Sequence, residues 1–388
     1  MVDIHGWVAP GLEKVRSEFE ANFAERGEVG ASVCVKVAGE TLVDLWGGLA
    51  DSETGRPWER DTLVDFYSAG KPLVASLVLR LVDRGLVDLD EPVAGLWPEF
   101  GVAGKRSATL RHALSHRAGV PAISIPLTND DLWSWETMTA ALAATSAWFE
   151  PGSRLVYHTN TYGHLVGEIA RRVTGQMPGT LLAALAAELD ADVHFGVPEA
   201  DLGRCATVYF ASGRIPPAAP AAPGAAGEEP AAAVEEPGEA SMIRLGYFNP
   251  PGYSSFGVVN TADWRRAQIP STNGHGSAAG LASFYAGMLQ ADRVLSADMT
   301  AEATRVQSQG DCPVLGEPAA FGLGFVPTSQ RRRFGPNPGA FGHFGTGGAV
   351  GFADPARSVA FGYVMNDVIP RWQSTRNRAL IDALYAGL

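Results

Sequence analysis

Residues 68–85 read Ser-Ala-Gly-Lys-Pro-Leu-Val-Ala-Ser-Leu-Val-Leu-Arg-Leu-Val-Asp-Arg-Gly. The apolar residues at 73, 74, 77, 78, 81 and 82 recur with a helical period, and Gly85 stops the pattern. Pro72 restricts where this helix starts, because proline fits only the first turn. With Ser68 as N-cap, Pro72 is the fourth helical residue, whose missing N–H has no intrahelical partner in any case. Ser68 then stands at the positive end of the helix dipole, where free backbone N–H groups stabilise an alkoxide or an acyl oxyanion. Lys71, three residues on, shares nearly the same face and is placed to take the serine proton. An ordinary N-cap serine beside a solvated lysine has the same spacing. Against that bland arrangement, Lys71 is one of only four lysines in an arginine-rich chain, and it heads a strongly apolar helix.

On the N-terminal side of this helix, residues 31–37 and 41–46 are β-branched and apolar, and Ala38-Gly39-Glu40 between them suits a turn, so the pair forms a hairpin. On the C-terminal side, helical stretches follow at about 135–147, 161–175, 179–189 and 277–290. Residues 341–353 and 358–365 read as two strands before a last helix at 375–387. Strands therefore sit at both ends of the chain and helices in the middle. Segment 216–240 is almost wholly Pro, Ala, Gly and Glu, too poor in apolar surface to offset its ordering entropy, and is expected to be a flexible loop.

The 388 residues, 46% of them hydrophobic, suffice for one large core or two smaller ones. A formal charge of -12 leaves no broad basic surface for nucleic acid or anionic lipid. The first residues carry no basic and apolar leader pattern, and no run of about 18 apolar residues occurs, so the expectation is a cytoplasmic protein with no nucleic-acid or membrane partner. Cys34, Cys205 and Cys312 lack the spacing of a zinc or redox site and read as buried free thiols. His112 and His116 are four apart without an accompanying Glu or Cys, and neither a metal nor another cofactor is expected.

A serine at its ordinary pKa is a poor nucleophile and needs a base. Two residues stand out. Tyr157 follows the Pro151-Gly152 turn and precedes a helix, at an element end where reactive groups are often displayed. To act as phenolate at pH 7 it must fall about three pKa units, roughly 4 kcal/mol, and a neighbouring Lys71 ammonium is expected to supply much of that. His158 and His164 rank below it. The second is His343, in the glycine-crowded Phe341-Gly-His343-Phe-Gly345-Thr346-Gly347-Gly348, where missing side chains let a ligand or another backbone approach closely. This stretch is followed by a strand, not a helix, and has no Lys-Ser/Thr, so it is not a phosphate loop. No Gly-x-Ser-x-Gly elbow occurs, which argues against an α/β-hydrolase.

Taken in order, Val43-Asp-Leu-Trp-Gly-Gly, Ser68-x-x-Lys71, Leu110-Arg-His-Ala-Leu-Ser-His116-x-Ala-Gly119, Pro151-Gly to Tyr157, Pro270-Ser-Thr-Asn-Gly-His275-Gly, and Gly342-His343 through Gly362-Tyr-Val-Met-Asn366 resemble the serine β-lactamase and penicillin-binding-protein superfamily, most closely its class C-like family VIII carboxylesterases. The resemblance implies a fold of α/β plus all-α type: an antiparallel sheet flanked by helices, with an inserted helical domain. Residues 1–388 would form one catalytic unit, its α/β part from 1–80 and 300–388 and its helical part from 81–299. It also implies Ser68 as nucleophile, Lys71 and Tyr157 as its activators, His343 on the edge strand, and an oxyanion hole from the N–H groups of Ser68 and Thr346. Thr159, Asn160 and Gly345 fall where such proteins bind substrate; the aromatic cluster that includes Trp133 and Trp135 is a candidate acyl pocket, although core packing is the commoner role of such residues.

Two departures from the family pattern shape the substrate expectation. Tyr157-His158-Thr159 replaces Tyr-x-Asn, with Asn160 displaced by one, and His343 replaces the strand lysine. Histidine is mostly neutral at pH 7, so a fixed positive charge for a β-lactam or peptide carboxylate is lost. The expected activity is hydrolysis of uncharged carboxylic esters, with amides as further substrates, through an acyl-Ser68 intermediate. The alternatives are an acyltransferase that passes the acyl group to an amine or alcohol, and a non-catalytic binding protein that retains the fold.

Overall fold

The computed structural model describes residues 2–210, 238–369 and 371–388. Its main sheet is antiparallel and draws strands from both chain ends: β1 (Ile4–Val8), β2 (Gly30–Val37), β3 (Glu40–Asp51), β4 (Val326–Pro327), β5 (Phe341–Phe344), β6 (Val350–Asp354) and β7 (Val359–Met365), in the spatial order β1-β3-β2-β7-β6-β5-β4. The hairpin expected at 31–46 is β2–β3, with a bulge at Val35/Lys36. The N- and C-terminal halves join where β7 pairs with β2, from Val359 opposite Val37 to Met365 opposite Ala31. The single strand expected over 341–353 is two, because Gly345–Ala349 turns the chain back so that His343 faces Gly351.

The helices include α1 (Glu13–Glu25), α2 (Lys71–Asp83), α3 (Trp135–Ala144), α4 (Thr161–Thr174), α5 (Pro178–Leu189), α6 (Ala278–Met288) and α7 (Thr375–Gly387). Side chains alternate across a strand, so neighbouring β7 residues report what covers each face of the sheet. Gly362 faces α6 so closely that a Cβ there would lie 2.2 Å from the Ala278 carbonyl oxygen, which leaves room only for glycine. Tyr363, the next residue, points the other way and donates to Glu28, which is paired with Arg376 of α7. Helix α1 packs on α7 on that second face. Helix α6, expected within the helical part, therefore belongs to the sheet layer, and we propose placing the boundary before Ala278 rather than at 299. Helix α2 packs against α4 and α5 and links the two parts. The loop expected at 216–240 lies outside the described residues as far as 237, and its last two residues already belong to the helix Glu239–Phe248.

Arg376 is a buried fastener of this architecture. Its five N–H donors meet the carbonyls of Arg26, Gly27 and Asp367 at 3.0, 2.6 and 2.9 Å and the carboxylates of Glu28 and Asp367 at 3.1 and 2.7 Å. Removing it strands two buried carboxylates. Arg376→Met should therefore lower unfolding free energy by about 3–5 kcal/mol, seen as a shifted midpoint in urea denaturation. Among the described residues, no helix is long and apolar enough to cross a membrane.

Candidate active site

Ser68 lies in a 3₁₀ turn, Tyr67–Gly70, directly before α2. It is not the N-cap: the Ala69 N–H bonds the Phe66 carbonyl at 3.2 Å, the α-helical register begins at Lys71 with Gly70 as cap, and Pro72 stands in the first turn. Tyr67 takes a left-handed backbone, φ +52°, held by its N–H on Asp65 Oδ1 at 2.8 Å. Such a conformation costs of order 1–3 kcal/mol in a non-glycine residue and marks a turn over-determined by its surroundings.

Lys71 is fully buried. Its Nζ lies 3.0 Å from Ser68 Oγ, 2.7 Å from the Thr159 carbonyl and 3.0 Å from the Ser271 carbonyl, and no carboxylate pairs with it among the described residues. Burial without a counter-ion holds its pKa well below the usual lysine value. A neutral amine has two N–H donors and one lone pair. The two carbonyls accept the donors, which leaves the lone pair for the Ser68 hydroxyl proton.

Tyr157 lies beside this pair, its ring centroid 4.9 Å from Lys71 Nζ. Burial raises the phenol above its ordinary pKa, with Ser68 the strongest opposing influence. Burial works against the expected phenolate stabilised by a Lys71 ammonium, because desolvation disfavours the charged form of both groups. The Tyr157 ring is enclosed by His116 at 4.7 Å, Phe321 at 5.4 Å, His343 at 6.3 Å and Trp372 at 5.3 Å between centroids.

His343 is buried on β5 and its Nδ1 donates to the Phe344 carbonyl at 2.6 Å, so Nε2 carries the lone pair and has no partner. Burial, reinforced by Lys71, brings its pKa down to about 3. Beyond β5, a Cβ on Gly345 would lie 2.1 Å from the Phe66 carbonyl oxygen, so the turn carrying Thr346 abuts the turn carrying Ser68. Among the described residues, neither Ser68 nor Thr346 commits its N–H to a backbone partner.

Of the residues expected to bind substrate, Thr159 contributes its carbonyl to Lys71 and Gly345 the close approach just described. Asn160 does something else. Its Nδ2 donates to the Gly246 carbonyl and Ser254 Oγ, both at 2.8 Å, and its Oδ1 accepts from Thr272 at 2.8 Å, so the buried amide is engaged in joining the helix Glu239–Phe248 to its neighbours. Trp135 takes the core-packing role: its Nε1 donates to Glu168 at 2.8 Å and its ring lies 5.0 Å from His164, in the seam between α3 and α4. Trp133 packs half-buried against the same core, and no recorded contact joins either tryptophan to Ser68. The aromatic wall at the site is instead Phe321 and Trp372, which carry no local motif. Cys312 was read only as a buried thiol, and its Sγ accepts the Tyr157 N–H at 3.3 Å. Ser271, within the quoted Pro-Ser-Thr-Asn stretch, supplies one of the carbonyls on Lys71.

Comparison with known proteins places this geometry among relatives. A profile of the Beta-lactamase family matches residues 15–386. The chain is 32% identical over 390 residues to the esterase/beta-lactamase LipL of Mycobacterium tuberculosis, covering 94% of this chain and 83% of that protein. The crystal structure of a family VIII carboxylesterase superposes with a TM-score of 0.88 at 35% identity, over 100% of both chains. A penicillin-binding-protein homologue from Caulobacter crescentus superposes with a TM-score of 0.87 at 35% identity, again over 100% of both.

Proposed function

The chain belongs to the beta-lactamase family, and from that premise we propose that it hydrolyses carboxylic esters through an acyl-Ser68 intermediate. The observation that carries this reading is the setting of Lys71: a buried amine with no counter-ion, its N–H groups on two carbonyls, facing Ser68 Oγ at 3.0 Å. As Ser68 Oγ attacks the ester carbonyl, its proton passes to Lys71, and the carbonyl oxygen takes negative charge between the N–H groups of Ser68 and Thr346. When the bond from the acyl carbon to the alkoxide oxygen breaks, the proton passes from Lys71 by way of the Tyr157 hydroxyl to the departing alkoxide, which leaves as the alcohol. Water then attacks the acyl-enzyme, the same groups move its proton, and acid and free Ser68 result. Three buried, unpaired cysteines support a reducing, cytoplasmic setting for this chemistry.

The test follows butyrate and p-nitrophenol from p-nitrophenyl butyrate, with fluorophosphonate titration of Ser68 in parallel. Steady turnover to free butyrate, stopped by one equivalent of label on Ser68, is the expected result. A stoichiometric burst that stalls until an amine is added would move the assignment to acyl transfer, and absence of both burst and label would sink it.

His343 is neutral throughout the working range, since its pKa lies near 3. His343→Gln should therefore leave the shape of the kcat/KM profile between pH 5 and pH 9 unchanged, whatever it does to the absolute rate. A new inflection near pH 6 in the native enzyme that is absent from this variant would contradict the assignment.

A further inference from the structure

Four rings surround Tyr157, and they differ in one respect. His116, Phe321 and His343 are fully buried, whereas Trp372 is only half-buried, so it is the one of the four that reaches solvent. Its edge meets both Tyr157, at 5.3 Å and 74°, and His343, at 5.4 Å and 60°. The position is fixed from two directions. The Arg332 guanidinium lies 4.5 Å from the indole and is itself held by Glu317. The Trp372 carbonyl accepts from Asn377 Nδ2 at 3.0 Å, and the same amide nitrogen donates at 2.8 Å to the Gly348 carbonyl in the turn that carries Thr346. An aromatic ring clamped on its face and along its backbone has little freedom to swing aside.

We propose that Trp372 is a specificity-determining wall for the alcohol portion of the substrate, admitting esters of small or flat alcohols and rejecting bulky, branched ones. The inference rests on the ester-hydrolase reading given above and follows from its proton path. The departing alkoxide receives its proton by way of Tyr157, so the carbon–oxygen bond that breaks lies on the Tyr157 side of the acyl carbon, and the alcohol portion leaves past the solvent-reaching ring beside that residue. The acyl chain extends from the carbonyl carbon in another direction and does not meet this wall. With Ser68 only 5% exposed, there is little alternative space on the approach.

The experiment measures kcat/KM for two substrate series with the native protein, Trp372→Ala and Trp372→Phe, each after fluorophosphonate titration of Ser68. One series holds butyrate and varies the alcohol through methyl, phenyl and menthyl. The other holds p-nitrophenol and varies the acyl chain from acetate to octanoate. Trp372→Ala should raise the menthyl-to-methyl ratio about tenfold or more, and Trp372→Phe should raise it by a smaller factor, with the acyl series shifted by less than about threefold. Should the alanine variant fail to fold, the phenylalanine variant carries the test. Equal changes across the alcohols, or a shift confined to the acyl series, would overturn the inference alone. Failure to titrate Ser68 in the native protein would overturn the reading beneath it and the inference together.

Discussion

Ser68→Ala should lower turnover of p-nitrophenyl butyrate by at least about a thousandfold while leaving the melting temperature within a few degrees of the native value. The reasoning is local. Removing Oγ deletes the hydroxyl beside Lys71 Nζ, whose other hydrogen-bond partners among the described residues are the two carbonyls. The volume lost is small, and the turn is held by the Tyr67 N–H on Asp65 and the Ala69 N–H on Phe66, neither of which involves the Ser68 side chain. Residual activity, if any, would come from the oxyanion donors acting on water, as in other serine hydrolases stripped of their nucleophile. Cys34→Ala is the matched control. Cys34 is buried in β2 opposite Gly362, its thiol is pushed up to about 12 by burial, and it takes no part in the site, so that variant should keep most turnover. A Ser68→Ala protein with native activity would falsify the site assignment outright.

The sequence carried some of this and not the rest, for physical reasons that differ by residue. Helix α2 and the hairpin β2–β3 were legible because each is stated by local periodicity, 3.6 in one and β-branched runs about a turn in the other. The exact start of α2 was not: a serine cap and a 3₁₀ turn both accommodate Pro72, and the left-handed Tyr67 that decides between them is set by Asp65 and distant packing. Helix α6 was found, but nearly all its residues are buried, so no polar face indicated which layer would receive it. Asn160 and Trp135 were placed near substrate by proximity to the Tyr157 motif along the chain, whereas both are bonded to other elements: Asn160 to Gly246, Ser254 and Thr272, Trp135 to Glu168. Trp372 and Phe321 left no signal at all. They meet Tyr157 only because the folded chain brings residues 321, 343 and 372 to one place. The protonation states were the subtlest matter. A lysine beside a tyrosine suggests an ammonium and a phenolate, and only the burial of both, with no carboxylate paired to Lys71 among the described residues, disfavours the two charges.

Lys71 and Tyr157 together make a second large prediction. Lys71→Ala and Tyr157→Phe should each lower kcat/KM by roughly a hundredfold to ten-thousandfold, and the double variant should be scarcely worse than the poorer single one, because both residues handle the same proton. The pH profile supplies the sign. Lys71 must be unprotonated to accept from Ser68, and its pKa lies below the usual lysine value, so native kcat/KM should fall as pH drops through that depressed value; the limb should disappear in Lys71→Ala. Tyr157 acts as a donor in its neutral form and its pKa lies above the usual one, so no alkaline limb from its ionisation should appear below about pH 10. A phenolate mechanism makes the opposite demand: activity would rise with pH through the tyrosine ionisation and Tyr157→Phe would erase that rise. Single-variant losses that multiply in the double variant would show that the two residues do not handle one shared proton, and the path from Lys71 through Tyr157 would be wrong.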